Sequence, residues 1–134
     1  MKVLICGSRN WKEEDVIPEY RIETYIKALP PDTVIIHGGG RGADRIADRI
    51  ARERGHTVIE HEAKWSLHGD KAGPIRNREM LTFKPDKVVA FHEDIVHSTG
   101  TKDMIDVARK ALLPVEVING CWTQVQLSEY GLGE

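Results

Sequence analysis

The sequence predicts an α/β fold with a mostly parallel five-stranded sheet and helices on both faces. Two observations carry this. Five short apolar runs, Lys2–Cys6, Thr33–His37, Thr57–His61, Lys87–Phe91 and Val115–Ile118, alternate with helix-period segments. Most runs are continuous in Val and Ile rather than alternating, as strands buried on both faces are. Strands separated by helices make βαβ units and a Rossmann-like parallel sheet.

The 134 residues suit one domain, spanning 1–134, with 40% hydrophobic and 30% charged content. No apolar run approaches the ~20 residues of a membrane span. The first strand pattern is too short for a signal-peptide core, so a cytoplasmic protein is expected. The net charge of −2 argues against duplex binding. Cys6 and Cys121 make no zinc signature and read as two reduced thiols. The sequence names no metal and no cofactor.

The elements follow in order. A helix is expected within Glu19–Leu29, stopped by Pro30-Pro31. The clearest helix places Ala43, Ile46, Ala47, Ile50 and Ala51 on one buried stripe, and Gly55 ends it. The segment Ala63–Pro74 shows little periodicity and reads as a long loop. A short helix follows through Arg76–Thr82. Another runs from about Thr101 to Leu112, with Met104, Ile105, Ala108, Ala111 and Leu112 inward and Pro114 beyond its end. Cys121–Glu129 has the composition of a further short helix.

In an open parallel sheet, ligands bind beyond the carboxyl ends of the strands. Three unusual sequences sit there. The first is Gly7-Ser8-Arg9-Asn10-Trp11. The second is His37-Gly38-Gly39-Gly40-Arg41-Gly42-Ala43-Asp44. The third runs from His92-Glu93-Asp94 through Ser98-Thr99-Gly100-Thr101. A glycine-rich turn entering a helix lets an anion reach backbone N–H groups without a Cβ in the way. No Lys-Ser/Thr pair follows the glycines, so the loop is not a Walker A motif, and no GxGxxG is present.

Phosphate is therefore expected at Gly38, Gly39, Gly40 and Gly42, and again at Ser98, Thr99, Gly100 and Thr101. Gly7, Ser8, Arg9, Arg41, Arg76 and Asn77 are placed to hold the anion, since guanidinium groups bind phosphate bidentately. Arginines at the start of a helix point the same way, because a cation there is unfavourable without an external anion. Trp11 and Trp65 are candidates to stack on a base, or to cap the core. Asp44 is a candidate for a ligand hydroxyl, for helix capping, or for catalysis. An acid–base role for His37 or His92 is a weaker expectation.

These motifs, with Lys64-Trp65 and Ala72-Gly73-Pro74-x-Arg76-Asn77-x-x-Met80, carry a resemblance over most of the chain. The sequence resembles the YspA/YpsA-related branch of the SLOG superfamily, which also holds the DprA/Smf proteins and the LOG phosphoribohydrolases. The resemblance implies a Rossmann-like fold, a site for a nucleotide or an ADP-ribose-like ligand, and a homodimer. It leaves two alternatives. One is hydrolysis of an N-glycosidic or phosphate ester bond, with Asp44 and Arg76 as the catalytic candidates. The other is DprA-like binding of single-stranded nucleic acid, which the mild acidity and the lack of spaced aromatics oppose. Arg76 takes the position of the active arginine of LOG enzymes. Met104 stands where their catalytic Glu falls, and Asp103, about 160° round the helix from Thr101, is expected to face away from the site.

Overall fold

A computed structural model describes residues 1–12 and 15–119. Cys121 and the expected helix at Cys121–Glu129 lie outside the described residues.

The strands are β1 (Lys2–Gly7), β2 (Val34–His37), β3 (Thr57–Glu60), β4 (Lys87–Phe91) and β5 (Val115–Ile118). Among the described residues they form one parallel sheet in the order β3-β2-β1-β4-β5. The register sets Leu4 beside Ile36 on one side and beside Val88 on the other. The chain reverses direction across the sheet at β1, so the crevice between β1 and β4 is the topological switch point.

The helices are α1 (Val16–Lys27), α2 (Ala43–Glu53), α3 (Trp65–His68), α4 (Ala72–Leu81) and α5 (Gly100–Lys110). Alternation along β1 separates two cores. Val3 and Ile5 meet Ile22, Ile26, Ile46 and Ile50 under α1 and α2. Leu4 and Cys6 meet Met80, Met104 and Ile105 under α4 and α5. The stripe expected on α2 is buried as read, and Gly55 follows it at φ +83°.

Three expectations needed correction. First, α1 begins at Val16 rather than near Glu19. Pro18 falls in its first turn, where a missing N–H costs nothing. Second, Ala63–Pro74 is not a long loop. It holds α3, a 3-10 turn at Gly69–Lys71 and the start of α4. Pro74 again occupies a first turn, so Gly73-Pro74 opens the helix instead of preceding it. Arg76 and Arg78 therefore sit inside α4, and the argument from cations at a helix start falls. Third, Ala111 and Leu112 are exposed, because α5 ends at Lys110 and Leu112 turns the chain at φ 61°. Leu113 packs against the core instead.

Candidate functional site

The ends of β1, β2 and β4 open onto one cleft of about 630 Å³, within the range of small-molecule sites. Gly7, Ser8 and Arg9 enter from β1; Gly38, Gly40, Arg41 and Asp44 from the β2–α2 turn. Trp65 comes from α3, Arg76 and Asn77 from α4. His92, Glu93 and Asp94 follow β4, and Ser98, Thr99, Gly100 and Thr101 open α5. The three unusual sequences do converge.

Several residues expected to touch a ligand are engaged by the protein instead. Trp11 is 5% exposed and tilts against Phe91 at 6.0 Å between centroids. Its indole N–H donates to Glu93 Oε2 at 2.7 Å, so it caps the core and does not line the cleft. Gly39 and Gly42 do not line it either. Gly42 has φ +83°, and a Cβ there would overlap the Ser8 carbonyl and crowd the Arg9 backbone. A Cβ on Gly7 would overlap the Phe91 carbonyl, and one on Gly38 would overlap the Arg76 guanidinium. Backbone packing requires glycine at Gly7 and Gly42, whereas at Gly38 the Arg76 side chain would have to give up its present position.

The backbone of the glycine loop is also partly spent. The Gly39 N–H donates to His37 Nδ1 at 3.0 Å, the Gly40 N–H to Asp44 Oδ2 at 3.1 Å, and the Ala43 N–H to the Ser8 carbonyl at 2.9 Å. The start of α5 differs. Ser98 Oγ accepts the Thr101 N–H at 3.1 Å, while the N–H groups of Gly100 and Lys102 have no acceptor within the helix. A Cβ on Gly100 would meet nothing within 4 Å. Open space at a helix N-terminus is the better anion cradle of the two.

Arg76 bridges the site. Its Nη1 donates to the Gly38 carbonyl at 2.7 Å and its Nε to Asn77 Oδ1 at 3.1 Å. Burial lowers the pKa of the guanidinium and Asp44 partly offsets this, with no prospect of its losing charge near neutrality. Asn77, 3% exposed, gives its amide hydrogens to the Gly100 carbonyl at 3.3 Å and to Asp103 Oδ2 at 3.0 Å. It brackets α4 to α5. Asp103 therefore faces the cleft, against expectation. The stripe containing Met104 packs on the sheet, and α5 turns Asp103 sideways toward Asn77 of α4.

Asp44 is 9% exposed at the cleft floor. Burial pushes its carboxyl above the ordinary range, and His37, Gly40, Arg76 and Gly38 pull it back only in part. Burial likewise pushes the Cys6 thiol far up, so it is inert as a nucleophile. Arg9 lies over Trp65, 5.7 Å from the ring centroid, at the cleft mouth.

His37 is fully buried. Accepting from Gly39 at Nδ1 fixes its proton on Nε2, which donates to Asp48 Oδ1 at 2.8 Å. His37, Asp48 and Glu60 offer atoms within 4.8 Å of one another, the spacing of a metal site. Arg52 pairs with Asp48 at 3.0 Å and Arg45 with Glu60 at 2.6 Å, so arginines already neutralise both carboxylates. The cluster buttresses the glycine loop.

The sequence model of the YspA, cpYpsA-related SLOG family matches residues 1–68, from β1 through α3. The chain belongs to this family. The Gene 61 protein of Mycobacterium phage D29 is 40% identical over 119 residues, covering 85% of this chain and 93% of that protein. The SLOG fold seen here also superposes on the X-ray structure of DNA processing protein A (DprA) from Streptococcus pneumoniae, with a TM-score of 0.71 at 20% identity. That match covers 98% of this chain and 57% of DprA, so the chain spans little more than half of that protein's length. Among the described residues no helix is long and apolar enough to cross a membrane.

Proposed function

We propose that the cleft binds a nucleotide or a nucleotide-derived ligand of the ADP-ribose kind. The observation that carries this is the meeting of Arg9, Arg41 and Arg76 with the open N-terminus of α5 at the β1–β4 switch point. The charge of Arg9 lowers the pKa of Arg76, a repulsion that an anion held between the two guanidinium groups would relieve. Phosphate would rest on Ser98, Thr99, Gly100 and Thr101. The arginines would neutralise its charge, and a base would displace Arg9 from the face of Trp65. Family membership supports the same ligand class.

A second reading has one observation in its favour. Asp44 is held toward its neutral form at the floor of the cleft, as a general acid must be. Cleavage of an N-glycosidic bond passes through an oxocarbenium-like state and needs a proton for the leaving base. Met104, at the position of the LOG glutamate, is 1% exposed in the core and supplies nothing.

Thermal unfolding with AMP, ATP, NAD and ADP-ribose tests the first reading. A rise in Tm with at least one of them supports it, and no rise with any overturns it. The second reading requires products that disappear in Asp44→Asn.

A further inference from the structure

Of the carboxylates that line the cleft (Asp44, Asp70, Glu93, Asp94 and Asp103), only Asp44 is buried. Asp44 Oδ2 accepts the Gly40 N–H at 3.1 Å. Asp44 Oδ1 is shielded from solvent and accepts no well-formed hydrogen bond, although the Gly38 N–H lies close enough to the carboxylate to favour its ionised form. Arg76 acts on Asp44 by its charge alone, while its Nη1 and Nε donate to Gly38 and Asn77. No ion pair among the described residues uses Asp44. A buried acceptor left unpaired is costly, and it is retained most simply where a ligand completes it.

Two kinds of partner complete a carboxylate oxygen: a cation, or an O–H or N–H donor. Arg76 already sets a positive charge beside Asp44 and draws its carboxyl toward the ionised form, so a further cation at that oxygen is disfavoured. A bare phosphate at Asp44 is repelled. What fits both ends is one molecule with its phosphate at the start of α5 and a hydroxyl donor at the floor.

We infer that Asp44 is the specificity-determining residue of the cleft, admitting phosphate esters whose sugar keeps a free hydroxyl and discriminating against those whose sugar lacks it. This rests on the ligand reading above and narrows it. The hydroxyl donates to Oδ1, while Oδ2 stays on Gly40. The raised pKa of Asp44 agrees, because burial outweighs the protein groups, His37, Gly40, Arg76 and Gly38, that favour its carboxylate. The recognised unit is a sugar phosphate, whether it stands alone or within a nucleotide.

The test is calorimetric titration of the wild type and Asp44→Ala with AMP, ATP, 2′,3′-dideoxy-AMP, 2′,3′-dideoxy-ATP, ribose 5-phosphate and inorganic phosphate. In the wild type, loss of the sugar hydroxyls should weaken binding about tenfold or more, the worth of a hydrogen bond to a charged group. In Asp44→Ala the ratio should fall to about one. Ribose 5-phosphate binding with the same dependence on Asp44 supports the inference for a free sugar phosphate. Its failure to bind, with the discrimination among nucleotides intact, supports it for a nucleotide. Equal wild-type affinity for hydroxylated and dideoxy forms overturns it and leaves the ligand reading standing. Failure of every probe to bind overturns both.

A second measurement covers the case in which Asp44→Ala does not fold. The Asp44 carboxyl carbon is titrated by NMR in the wild type. AMP should lower the midpoint and 2′,3′-dideoxy-AMP should not; a midpoint unmoved by bound AMP overturns the inference.

Discussion

Arg76 Nη1 donates to the carbonyl of Gly38 at 2.7 Å, joining α4 to the glycine loop across 38 positions of sequence. The same guanidinium faces the cleft. Arg76→Lys keeps the charge but loses the planar fork. Its expected effects are a loss of about 1 kcal/mol in stability and a roughly tenfold fall in nucleotide affinity. Arg76→Ala should do more of both. Urea denaturation and calorimetry check the pair.

The glycines separate by role. Gly42→Ala must place a Cβ at φ +83° against Ser8 and Arg9. It should cost about 2–5 kcal/mol, the sum of backbone strain and overpacking. Gly100→Ala meets no protein atom. Its stability should stay within about 0.5 kcal/mol of wild type while ligand affinity drops. Equal destabilisation of the two variants in urea would refute this division.

Glu93 accepts from Ser8 Oγ at 3.1 Å and from Trp11 Nε1 at 2.7 Å. Burial pushes its carboxyl up, but its own backbone N–H, Ser8 and Trp11 outweigh that and hold it below the ordinary value. Glu93→Ala strands two buried donors and should cost about 1–3 kcal/mol at neutral pH. A depressed folded pKa stabilises fully above the unfolded value, about 4.3. That contribution is lost as pH falls through the folded value. The gap between wild type and variant should therefore shrink below about pH 4; a gap that widens on acidification contradicts the assignment.

The fold was legible in the sequence because most of the strands were written in continuous Val/Ile runs and α2 in one strong helical stripe, Ala43 to Ala51. The rim of the site was legible for the same reason: three odd sequences followed three strands. Roles within the rim were not. Gly7 and Gly42 look like parts of an anion loop, yet each is glycine because a backbone carbonyl distant in sequence presses on it, that of Phe91 and that of Ser8. Such contacts span the sheet and leave no local pattern. From its place after a turn Trp11 reads equally as a base platform or a core cap; only Glu93, 82 positions away, shows that it points inward. Asp103 was misread because its orientation depends on Asn77 in α4, whose first turn hid behind Gly73-Pro74.

Trp65 is half exposed at the cleft mouth beneath Arg9. If a base stacks there, Trp65→Ala should weaken AMP by about 1–3 kcal/mol and leave inorganic phosphate unchanged. Trp11→Ala should instead destabilise the fold by about 3–5 kcal/mol, as loss of a buried Trp does. Titration and thermal unfolding of both variants separate a ligand platform from a core cap.

Ligand-observed NMR over several hours, with AMP, ATP, NAD and ADP-ribose, tests the central claim most directly. The account predicts binding signals from at least one of these nucleotides, abolished by Arg76→Ala and competed by excess ligand. New ribose-phosphate or free-base peaks would add turnover and turn attention to Asp44. Spectra identical with and without the protein for every compound would contradict a nucleotide site in this cleft.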